Sequence, residues 1–165
     1  MNPILRVLST LALALLLAAA AAAAAAPARA AAFVDLIDFP TQEANWERFY
    51  DLQDRLTADF DEICPDTYCE GEYSNLIALQ FRCSVRAASG TLQGCVLVVG
   101  GGNLEVEPSS GALLDDNRTW ACAAPLAPDT PVEAFHATLA GPRPLLAPLP
   151  GSGRSIHEAL SDCLH

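Results

Sequence analysis

Six cysteines, at positions 64, 69, 83, 95, 122 and 163, follow a stretch of 32 residues that contains none and is dominated by alanine and leucine. The two features read together. Residues 1–32 have the shape of an export signal, and a chain delivered outside the reducing cytosol with an even number of thiols pairs them. Three disulfides are therefore expected among Cys64, Cys69, Cys83, Cys95, Cys122 and Cys163. They limit the body of the protein to a small, covalently stapled fold.

The signal has three recognisable parts. Arg6 supplies a positive start, Leu11 to Ala26 is an unbroken apolar run, and Ala28-Arg29-Ala30 fits the small-x-small cleavage pattern. Cleavage before Ala31 or before Phe33 fits equally. The run ends in an alanine tract and is short for a bilayer span, so no membrane span is expected in the mature chain. The expected location is secreted or periplasmic, with residues 33–165 forming one domain.

Beyond residue 32 the charge is lopsided. Seven arginines and no lysine face all twenty acids, a net charge of −13. A chain so acidic is not an electrostatic binder of nucleic acid. Twelve of the acids lie between Asp35 and Glu72, opposed there only by Arg48 and Arg55.

Hydrophobic spacing predicts the elements. Trp46, Phe49, Leu52, Leu56, Phe60 and Ile63 recur at steps of three and four, which places a helix over 41–63 with Thr41 as its N-cap. Leu79 to Arg86 alternates strictly, as a half-buried strand does. Ala88-Ser89-Gly90 is a turn, and Cys95 to Val99 is apolar throughout, as in a central strand. Gly100 to Gly102 are expected to end or bulge it. Leu104 to Glu107 alternates again, Pro108 to Gly111 turns, and Arg118 to Ala124 forms the last strand. Seven of the twelve prolines follow between Pro125 and Pro150, around a short helix opened by Thr130-Pro131-Val132-Glu133. Ser155-Ile156-His157-Glu158 caps a final helix. The expected fold is α+β: a long N-terminal helix on an antiparallel meander of three or four strands, then two short C-terminal helices. Trp46, Phe49, Leu56, Phe60, Phe81, Val85 and Trp120 would supply its core.

Cys83 and Cys95 become neighbours if the hairpin turns near Ser89. Cys122 and Cys163 would then remain beside Cys64 and Cys69, although six cysteines permit fifteen pairings.

Motifs for chemistry are few. Asp59, Asp61, Glu62, Asp66, Glu70 and Glu72 surround the Cys64–Cys69 loop, and oxygen-rich loops can hold calcium. An EF-hand register fails, because it would place Ile63 or Tyr68 at ligand positions. A solvated acidic face is the simpler reading. Gly100-Gly101-Gly102 lacks the third glycine and the following helix of a dinucleotide turn. Gly151-Ser152-Gly153-Arg154 could cradle an anion, but the Ser155 capping box already accounts for that helix start. His136, His157 and His165 sit in no nucleophile or metal motif. No catalytic, metal or cofactor-binding residue is assigned.

The loop C-P-D-T-Y-C-E-G-E-Y-S-N, with F-R-C-S-V and T-W-x-C after it, resembles a group of uncharacterised secreted bacterial proteins. In these a Cys-x-Asp-Thr-aromatic-Cys-Glu-Gly loop precedes a cysteine-bearing sheet. The resemblance implies no activity. Helix followed by meander is also similar in outline to cystatin-like folds, but the Q-x-V-x-G pattern is absent. The functional expectation is a non-catalytic binding or interaction domain with a protein or envelope partner. Its contact loop would use Asp66, Tyr68, Glu70, Glu72 and Tyr73. A calcium-stabilised module and a small exported hydrolase are the alternatives.

Overall fold

A computed structural model describes residues 32–73 and 75–164. Residues 1–31, almost all of the segment expected to be an export signal, lie outside the described residues, as does His165. Helix α1 spans Gln42–Ile63, with the Thr41 hydroxyl accepting from the Ala44 N–H. Its buried stripe is Asn45, Phe49, Leu52, Leu56, Asp59 and Phe60. Trp46, expected in the core, is instead 46% exposed and lies against Tyr50 on the solvent side. The stripe runs through Asn45, whose amide donates to the Leu36 carbonyl while its oxygen accepts from Arg48. A polar residue thus takes the inward position beside the tryptophan.

Four strands form one antiparallel sheet in the order β1-β2-β3-β4: β1 Phe33–Asp35, β2 Ile77–Arg86, β3 Thr91–Val106 and β4 Leu113–Ala123. The expected meander is there, with two differences. The short β1 was not anticipated. The triple glycine neither ends nor bulges the central strand, since β3 runs through it for 16 residues. Absence of side chains makes that continuity possible. Leu79 lies over Gly100, and a Cβ on Gly101 would stand 2.5 Å from the Leu76 side chain and 3.4 Å from Trp120 and Tyr73. The glycines are where the chain entering β2 crosses the sheet.

The three described helices sit on one face. Helix α1 packs on β2, and α2 (Val132–Thr138) stacks Phe135 on Phe81. Helix α3 (Ile156–Leu164) is bonded to β4 through Cys122–Cys163. Cys83–Cys95 links directly paired positions of β2 and β3, and Cys64–Cys69 closes the turn after α1. The core of Phe49, Leu56, Phe60, Phe81, Val85, Leu97 and Phe135 lies between these layers.

The capping signals fared unequally. Ser155 and Glu158 exchange hydrogen bonds as a capping box does. Thr130 does not cap α2; its hydroxyl donates to the Ala127 carbonyl, and Glu133 forms an ion pair with Arg48 at 2.7 Å. Pro131 holds the N-cap position itself.

Candidate functional site

The segment after α1 folds into two short 3-10 turns, Cys64–Asp66 and Tyr68–Glu70, held by the Cys64–Cys69 bond. The five residues expected to make one contact loop divide. Asp66, Glu70 and Glu72 are exposed. Tyr68 and Tyr73 are buried, because each ring has an apolar seat and each hydroxyl a partner. Tyr68 stacks on Phe60 and donates to the His157 carbonyl. Tyr73 packs edge-on to Trp120 and donates to Asp116 at 2.6 Å. Burial pushes the Tyr68 phenol up to about 12, and the bond to Asp116 raises that of Tyr73. Both keep their protons at neutral pH. The two loop tyrosines are therefore anchors, and of the five residues only the three acids are exposed.

Between this loop and β4 lies a cleft of about 260 Å³, lined by Glu72, Tyr73, Leu76, Arg118 and Trp120 among others. The Arg118 guanidinium lies over both the Tyr73 and Trp120 rings. Among the described residues that line it there is no serine, cysteine or threonine. Among the described residues no three acidic, histidine or cysteine side chains gather where they could hold a metal ion. The acids around Cys64–Cys69 therefore lend the calcium alternative no geometry. The Gly151–Arg154 loop is also spoken for, because Arg154 pairs with Asp162 at 2.6 Å.

The surface that sequence reasoning missed is the other side of the sheet. Directly paired residues share a face. Pairings of Ile77 with Gly100, Arg82 with Val96, Leu104 with Asp115 and Val106 with Leu113 put these residues opposite the helices. Phe33, paired with Arg86, lies on the same side, as does Leu79 over Gly100. Phe33, Ile77, Leu79, Leu104, Val106 and Leu113 are each 45–68% exposed. The signal was present in the sequence, where Leu104 and Val106 alternate with acids. No protein family, curated protein or solved structure matches this chain.

This face is also poor in charge. The pairings place Asp35, Arg86 and Asp115 on it, while the Arg82 side chain turns at the sheet edge to meet Asp35 at 3.8 Å and lie over the Phe49 ring. Most acids of the 35–72 region stand on the solvent side of α1 and on the disulfide loop instead. An apolar surface depleted of charge is the composition of an interface centre.

His136 is a structural group. It is buried on α2, its Nε2 has no partner among the described residues, and burial holds its pKa down to about 4. Arg48 and Arg55 lower it further, against the opposing Glu133. Between pH 6.5 and about 4 the unfolded chain binds a proton there that the native chain does not. Stability contributed by the neutral imidazole is therefore complete above pH 6.5 and is lost as pH falls, by about 2–3 kcal/mol at pH 4. Urea titrations from pH 7 to 4 should show a shallower decline for His136→Gln than for the wild type. Parallel declines would refute the assignment.

Proposed function

We propose that the protein works in an oxidising compartment, exported by its N-terminal segment, as a non-catalytic binding domain. Its open sheet face docks on an apolar patch of a partner protein. One observation carries this reading: six large apolar side chains stand exposed on the one sheet face that no described helix covers. Leaving such a patch in water is unfavourable by roughly 25 cal/mol per Å², which a complementary surface recovers. The three disulfides support the compartment, and they lock the sheet so that little ordering cost falls on binding.

The test is affinity capture from envelope extract with the mature wild type, an Ile77→Ser/Leu104→Ser variant and a Glu70→Gln/Glu72→Gln variant. Both altered pairs are exposed, so all three proteins should melt within a few degrees of one another. The apolar-face variant should lose the captured protein by roughly tenfold or more, while the loop variant keeps it. Equal capture by all three would remove the sheet face as the docking surface.

A further inference from the structure

We propose that β4 is the interface for a second copy of this chain, joining two four-stranded sheets into one of eight strands. Among the described residues no strand lies beyond β4, and residues 113–119 are all exposed. An open edge of this length pairs readily with another strand unless something prevents it.

The order of residues along β4 selects one arrangement. Two copies related by a two-fold axis perpendicular to the sheet pair antiparallel. The pleat then allows only registers in which residues of one face oppose residues of the same face. Centred on Asn117, the register sets Asp116 against Arg118, Leu114 against Trp120 and Leu113 against Ala121 of the other copy. Each acid of the inner face meets a base, and apolar meets apolar. One step either way breaks this: centring on Asp116 opposes Leu114 to Arg118, and centring on Arg118 opposes Asp116 to Trp120. Charges on an edge strand ordinarily prevent association. Here Asp116 and Arg118 are spaced to attract their counterparts instead. Both are already held in place, Asp116 by the Tyr73 hydroxyl and Arg118 by the Tyr73 and Trp120 rings. The dimer would bring Leu114 of the second copy beside Trp120 at the rim of the cleft, and the two open apolar faces would become continuous.

Sedimentation of the mature protein should show a dimer. Arg118→Asp puts like charges opposite one another twice per dimer and should weaken it roughly tenfold. Asp116→Arg should do the same, and the double exchange should restore the dimer, which a merely structural role for either residue would not. Register is read by cysteine trapping. Opposed antiparallel residues stand about 4.5–5.5 Å apart between Cα atoms, within disulfide reach. Asn117→Cys should therefore cross-link two chains under mild oxidation. Asp115→Cys should not, because the two copies of residue 115 are offset by about 13 Å along the strand. A monomeric wild type, a dimer indifferent to the charge reversals, equal cross-linking at 115 and 117, or a glycan found on Asn117, which opens the acceptor pattern Asn117-Arg118-Thr119, would each overturn the proposal. The dimer does not depend on the docking reading, since sedimentation and affinity capture report the two separately.

Discussion

Removing the Cys122–Cys163 bond will lower stability about twice as much as removing Cys64–Cys69. The first closes a span of 41 residues and the second a span of 5. On chain-entropy grounds the two are worth about 4 and about 2 kcal/mol respectively. The longer span includes the whole proline-rich segment and α2, so its loss frees α3 together with everything that leads to it. Urea titration of the paired alanine variants measures both changes. Equal losses would show that constraint of the unfolded chain is not how these bonds stabilise this fold.

Asp59→Ala will cost about 3 kcal/mol, whereas Glu62→Ala will stay within about 1 kcal/mol. Both carboxylates meet the same guanidinium, since Arg143 lies 2.8 Å from Asp59 and 2.9 Å from Glu62. Burial separates them. The Asp59 side chain is 4% exposed and accepts the Leu145 N–H, a buried donor that would be orphaned without it. Glu62 is mostly in water, where screening and side-chain entropy consume the attraction. Thermal melts of the two variants decide it, and similar losses would refute the role assigned to burial.

Asp59 also shows where reading the sequence stops. The spacing of Phe49, Leu52, Leu56 and Phe60 placed α1 within a residue, because helical periodicity is local and repeated. Asp59 belonged to the acidic cluster by composition alone. Only the return of the proline-rich segment, with Arg143 and the Leu145 N–H, explains why a carboxylate is buried there. Trp46 failed for a related reason: its spacing fits the stripe, but Asn45 had a long-range partner in the Leu36 carbonyl. The glycines of β3 were legible as unusual but not as continuous strand. Their neighbours Leu76 and Leu79 come from a distant stretch of chain. The hairpin register accounts for Cys83–Cys95 and leaves three ways to pair the other four cysteines, of which the fold takes Cys64–Cys69 with Cys122–Cys163. The disulfide loop was legible as a turn and not as a surface, since exposure of Tyr68 and Tyr73 depends on the rings that receive them.

Helices on one side and an open sheet on the other have an electrostatic consequence. The acids crowd the helical side while the sheet side is close to neutral, so the molecule carries a permanent dipole along the sheet normal. Near an anionic polymer or leaflet it experiences a torque that turns α1 away and brings the bare strands forward. Orientation then precedes contact, and added salt weakens it.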